Sequence, residues 1–194
     1  MKQLLVASLA LAIATWGMGA MQARAAVDDV AANGFSVTET EDITAAPTRV
    51  YDALIAPARW WNPEHTYSQD AANLALDARA GGCWCETLPG GGSVQHLVVV
   101  NAMPGKMLRL RGALGPLQSL AVDGALTFSL RPIDHGTHLT MSYTVGGYLK
   151  PAAAELAKAV DSVLGEQANR LKHFIETGMP AIATPNEPRK GSTP

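Results

Sequence analysis

Between Leu126 and Val145 apolar and polar residues change places at every step, and beyond Pro151 they do so at every third or fourth. Leu126, Phe128 and Leu130 alternate with Thr127, Ser129 and Arg131, and Leu139, Met141, Tyr143 and Val145 alternate with His138, Thr140, Ser142 and Thr144. A period of two makes a strand with one face inside and one in water. Pro132 to Gly136 (PIDHG) supplies the turn between the two strands. From Pro151 to Ile175, Leu156, Val160, Val163, Leu164, Leu171 and Phe174 recur at helical spacing and form an apolar stripe. Glu155, Lys158, Asp161, Glu166, Arg170 and Lys172 fall mostly on the other faces. An antiparallel sheet with one wet face must cover its dry one, and this helix is the only element large enough to do so. The expected class is α+β: a curved antiparallel sheet of about six to seven strands wrapped around a long C-terminal helix. Such a sheet leaves a hollow beneath the helix.

The remaining elements fit that frame. Phe35 to Ile43 reads as the first strand. Thr44 and Pro47 mark a helix entry, with a hydroxyl cap and a first-turn proline, for a short helix over Pro47 to Ile55 that Pro57 ends. A second short helical segment is expected in ARWWNPEHTYS, so two short helices follow the first strand. Further strands are expected at Asn73–Ala78, Cys83–Leu88, Ser93–Ala102 and Lys106–Arg111.

The N-terminus reads as an export signal: Met1-Lys2, an apolar run from Leu4 to Ala14, and Ala23-Arg24-Ala25 as a cleavage site cut after Ala25. The expected organisation is a signal peptide (1–25), a linker (26–33), one folded domain (34–176) and a disordered tail (177–194), in a periplasm or outside the cell. No membrane span is expected after cleavage, because the apolar run is too short. The chain carries 15 basic against 17 acidic residues. Loss of Lys2 and Arg24 leaves it more acidic, with no basic stripe for nucleic acid or an anionic membrane.

The chain resembles the START-like (SRPBCC) superfamily, named for polyketide cyclase/dehydrase and lipid transport proteins. ITAAPTRVYDALIAPARWW, LDARAGGCWCE, PGKMLRLRGALGPL, GTHLTMSYTVGGY and LAKAVDSVLGEQANRLKHFIE carry the resemblance, which covers about residues 34 to 176. It implies a helix-grip fold whose hollow takes a small apolar or amphipathic ligand. Family members include carriers, cyclases, dehydratases and co-chaperone modules; no catalytic motif is common to all, and an export signal does not suit an intracellular co-chaperone.

AGGCWCETLPGGG, residues 80 to 92, holds the two cysteines of the chain. On a strand Cys83 and Cys85 share one face, with Cα atoms roughly 6.5–7 Å apart, at the edge of disulfide geometry. Free thiols, a disulfide allowed by a bulge at Gly81-Gly82, and a metal pair stay open. Two cysteines with scattered histidines lack the spacing of a structural zinc site, so no metal is assigned. No dinucleotide, P-loop or Gly-x-Ser-x-Gly fingerprint occurs, and no cofactor is expected.

Trp84 and Glu86 share the other face. If Leu88 stands opposite Val94, then Glu86 faces His96 and Trp84 faces Val98; a slip of one residue puts Gln95 and Leu97 inside and His96 outside. The first register is preferred because it gives a buried carboxylate a donor. Such a pair serves as a catalytic acid and base, as a polar anchor for a ligand, or as a structural cross-strand contact. The expected cavity wall is Trp61, Trp84, Glu86, His96, Val98, Phe128, Met141 and Tyr143. The leading reading is a monomeric exported protein that binds a hydrophobic small molecule, a lipid or polyketide-like compound. Its rivals are a cyclase or dehydratase using Glu86 and His96, and an interaction module without ligand.

Overall fold

A computed structural model of the chain describes residues 27–149 and 153–179. The expected signal peptide, the position of its cleavage site and most of the expected tail lie outside the described residues. Eight strands form one curved, open antiparallel sheet: β1 (Val27–Ala31), β2 (Gly34–Ile43), β3 (Leu74–Leu76), β4 (Cys83–Thr87), β5 (Ser93–Met103), β6 (Met107–Arg111), β7 (Val122–Ile133) and β8 (Gly136–Gly147). They lie in the order β1-β2-β8-β7-β6-β5-β4-β3. The chain leaves β2, crosses to the far edge of the sheet, and returns as a meander that ends beside β2. The helix α1 (Pro47–Leu54) belongs to that crossing, and α2 (Ala153–Thr177) follows β8. The class is α+β with a helix-grip arrangement.

The period-two segments set the register of the sheet's middle. Leu126 stands opposite Tyr143, Phe128 opposite Met141 and Leu130 opposite Leu139, with no slip along the β7–β8 pair. These inner-face residues are buried in one core together with Val37, Leu108 and Leu110 of the sheet and Leu164, Ala168, Leu171, Phe174 and Ile175 of α2. Of the strands, β2 lies closest to α2, followed by β1.

Three expectations are corrected. Residues 27–31, expected to be linker, form β1, a largely exposed edge strand paired to β2, with Thr38 donating to Asp28 at 2.6 Å. The second short helix is replaced by separate 3-10 turns at Pro57–Arg59, Pro63–His65 and Ala71–Asn73. Ala46, not Thr44, precedes the first turn of α1; the Thr44 N–H instead donates to Glu176 at 2.9 Å, tying the helix entry to the end of α2.

Candidate functional site

Trp84 and Glu86 point inward from β4, while Cys83 and Cys85 point outward and form a disulfide with Cα atoms 5.4 Å apart. The hairpin takes neither expected register. Glu86 stands opposite Val94 and Cys85 opposite Gln95, but Trp84 stands opposite Leu97 and Cys83 opposite Val98. One residue of β5, His96, has no opposite number. It is a β-bulge, and a bulge lets consecutive residues face the same way. His96 and Leu97 are accordingly both buried, whereas Val98, expected inside, lies on the outer face opposite the disulfide. Gly112 makes the bulge possible at the neighbouring strand end. It adopts φ +141°, and a Cβ there would meet the carbonyl oxygen of His96 at 2.8 Å.

The bulge brings His96 Nε2 to 2.9 Å from Glu86 Oε2. Glu86 is 1% exposed and accepts two more hydrogen bonds, from the backbone N–H of Tyr67 at 3.1 Å and of Ser68 at 2.5 Å. Burial alone would raise its pKa, but the bonds from Ser68, Tyr67 and His96 outweigh burial and hold the carboxyl below its ordinary value. Burial pushes the His96 imidazole down as well, against the pull of Glu86. The pair therefore rests as a carboxylate beside a neutral imidazole. Glu86 anchors the loop that follows the tryptophans.

That loop is also stapled to the helix. Asn62 donates its side chain to Glu166 at 2.6 Å, and its backbone N–H to Gln167 at 2.9 Å. His65 Nε2 lies 3.0 Å from Glu166 Oε2, and Arg170 Nε donates to the Trp60 carbonyl at 2.9 Å. Asn62, Gln167 and Arg170 are buried. The sequence reading put Glu166 and Arg170 on other faces and missed Asn62 and Gln167. The available signal was polar residues (GEQANR) in line with the apolar stripe. Trp60, Trp61 and Trp84 pack edge to face, with centroids 5.4 and 5.1 Å apart along the chain of rings.

These constraints enclose a hollow of about 550 Å³. Trp61, Leu74, Trp84 and His96 wall it from the sheet and loop side, and Leu156, Val160 and Val163 of α2 from the helix side. A turn carrying Leu114 and Leu117 closes a third side. Tyr67 reaches across to that turn, its hydroxyl donating to the Gly115 carbonyl at 2.9 Å. Gln118 ties the same turn to β5 through the Gln95 carbonyl at 3.1 Å.

Of the expected wall residues, Trp61, Trp84 and His96 line the hollow. Glu86 stands behind His96 and is not part of the wall. Phe128 and Met141 are buried in the packed core and do not line the hollow. Tyr143 does not bring its hydroxyl to the hollow. The hydroxyl donates to the Gly112 carbonyl at 2.9 Å and accepts from the Leu114 N–H at 3.1 Å, which braces the turn. Gly124 makes room for that ring, since a Cβ there would stand 2.5 Å from it. Burial pushes the Tyr143 phenol up to about 12. Among the described residues no group of three or more His, Cys, Asp and Glu is placed to hold a metal ion, and no helix is long and apolar enough to cross a membrane.

A family model described as polyketide cyclase / dehydrase and lipid transport matches residues 34–176. Among solved structures, one from Mesorhizobium loti is 18% identical, covers 72% of this chain and 96% of its own, and superposes with a TM-score of 0.54. A conserved protein of unknown function from Enterococcus faecalis is 17% identical, with coverage of 78% and 77% and a TM-score of 0.54. The Aha1 dimer from Colwellia psychrerythraea is 16% identical, with coverage of 74% and 97% and a TM-score of 0.52. At these identities the likeness is one of fold. No curated protein matches the chain.

Proposed function

The chain belongs to the polyketide cyclase / dehydrase and lipid transport family, and from that premise we propose that it is an exported protein that binds a small hydrophobic molecule in its hollow. One observation carries the reading: a cavity of about 550 Å³, walled mainly by apolar side chains, lies between α2 and the sheet. That volume lies within the roughly 300–1,000 Å³ typical of small-molecule sites. It suits a single acyl chain or a compact ring system. A filled interior would have favoured an interaction module; the hollow supports a ligand.

Carriage is better supported than cyclase or dehydratase chemistry. A general acid or base must reach the proton it moves. Glu86 lies outside the hollow with its carboxylate engaged by three donors, which makes it a positioning residue for His96 and the 60–70 loop. Export is supported by the leader-like sequence at residues 1–25 and by the Cys83–Cys85 disulfide, since disulfides persist in oxidising compartments.

The test is mass spectrometry of the protein purified under native conditions. An apolar compound, chemically unaltered, is expected with the wild type, and is expected to be lost from Val160→Trp, which fills the hollow from the helix side. A compound retained equally by a folded Val160→Trp variant would place the ligand elsewhere and end the proposal.

A further inference from the structure

We propose that His96 gives the hollow a directed, uncharged hydrogen-bond acceptor, its Nδ1, and that the cavity accordingly selects uncharged apolar molecules bearing a hydroxyl or another neutral donor. The inference rests on the cavity being the binding site and adds the chemistry of what it takes.

The argument begins with Glu86. An ionised carboxylate only accepts hydrogen bonds. Oε1 accepts from the Ser68 N–H, and Oε2 accepts from the Tyr67 N–H and faces His96 Nε2. Nε2 must therefore carry the hydrogen, which fixes the tautomer of a neutral ring and leaves the lone pair on Nδ1. That nitrogen has no hydrogen-bond partner among the described residues, although His96 is 7% exposed and borders the cavity. The β-bulge that turns His96 inward thus delivers an unmet acceptor to an apolar space.

Three other polar side chains at the wall are engaged. Thr66 donates to the Pro63 carbonyl at 2.7 Å, Tyr67 donates to the Gly115 carbonyl, and His65 is paired with Glu166. Among the described residues no lysine or arginine lines the hollow, while Glu64 does and Glu86 stands directly behind His96. An anionic head group would find two carboxylates nearby, and Arg170, which feels the charge of Glu64, is turned to the Trp60 carbonyl. Burial disfavours protonation of His96, so the ring does not supply a positive charge either.

The experiment uses N-phenyl-1-naphthylamine, neutral and fluorescent in apolar surroundings, as the bound probe. It is displaced by three ligands sharing one chain: 1-dodecanol, dodecyl methyl ether and dodecanoate, at mildly alkaline pH. The alcohol is expected to displace the probe at a concentration about fivefold below the ether. It should act on the order of a hundredfold below dodecanoate. Equal potency of alcohol and ether, or preference for dodecanoate, overturns the inference while cavity binding stands. Failure of the probe to bind at all removes both readings. His96→Phe is expected to erase the difference between alcohol and ether. Should that variant not fold, nitrogen NMR of the wild type decides. The His96 Nδ1 resonance is expected at an unprotonated position and to move on addition of 1-dodecanol but not of the ether; a resonance unmoved by the alcohol refutes the assignment.

Discussion

Along the C-terminal half of α2, Leu164, Ala168, Leu171 and Phe174 are buried in the core that also holds Phe128 and Met141. Along its N-terminal half, Leu156, Val160 and Val163 belong to the same apolar stripe yet remain only partly buried, because they face the hollow. The helix is similar in both halves; what lies opposite differs. At one end unbroken strands with alternating side chains meet the helix. At the other the sheet is carried on by short strands and a bulge, and the opposing surface is a loop held in place by Glu86, Glu166, Gln167 and Arg170. Polar staples on the loop set its position without filling the space beneath it. A hollow thus coexists with a packed core inside one small domain.

The sharpest way to break this comparison is to make equivalent truncations at both ends. Phe128→Ala removes a fully buried ring from a packed region and is expected to cost about 3–5 kcal/mol. Leu156→Ala enlarges a space that already exists and is expected to cost about 1 kcal/mol or less. Chemical denaturation measures both. A Leu156→Ala penalty close to that of Phe128→Ala would mean the two ends are packed alike.

How far the sequence predicts this layout depends on what each residue's position encodes. Alternation along β7 and β8 encodes which face is dry, so the fold class, the inward face of that pair and the role of α2 were legible. It does not encode which part of the dry face the helix covers. Phe128, Met141 and Tyr143 have the expected parity and still lie in the core, away from the hollow. The strand β1 escaped notice because its side chains are mostly exposed, so VDDVA has no apolar alternation to read. The bulge at His96 is a property of two strands paired together, fitted by a glycine at position 112, and neither strand shows it alone. His65 had Glu64 as its neighbour in sequence; its partner Glu166 comes from α2.

A second, smaller effect sharpens the contrast at the loop. Glu86→Gln sets an amide N–H₂ against backbone donors that now meet an oxygen, and is expected to cost about 2–3 kcal/mol at neutral pH. Acid reveals the same linkage. The Glu86 pKa is lowered in the folded protein, so its contribution is present above the unfolded value of about 4.3 and is lost as pH falls through the folded one. His96 acts in the same sense. Its folded pKa is also lowered, so below about 6.5 the unfolded chain takes up the proton first and stability falls. Wild-type stability should therefore decline on acidification, and the variant should decline less steeply below about pH 4.5. Parallel curves would show that Glu86 is not the group holding the loop.

The smallest effect belongs to the mouth. Tyr67 is half exposed, and its hydroxyl joins the loop to the Gly115 turn by one hydrogen bond. Removing an exposed bond of this kind moves stability by about 0.5 kcal/mol or less. Its consequence lies in kinetics, because that bond must open if the loop and the turn are to part. Tyr67→Phe is expected to leave the denaturation midpoint nearly unchanged and to speed release of N-phenyl-1-naphthylamine about two- to fivefold, a factor consistent with the loss of one modest hydrogen bond. Stopped-flow dilution reads the rate directly. An unchanged rate would mean that ligand leaves by another side of the hollow, and that the division between packed core and open end does not run through the 67–115 contact.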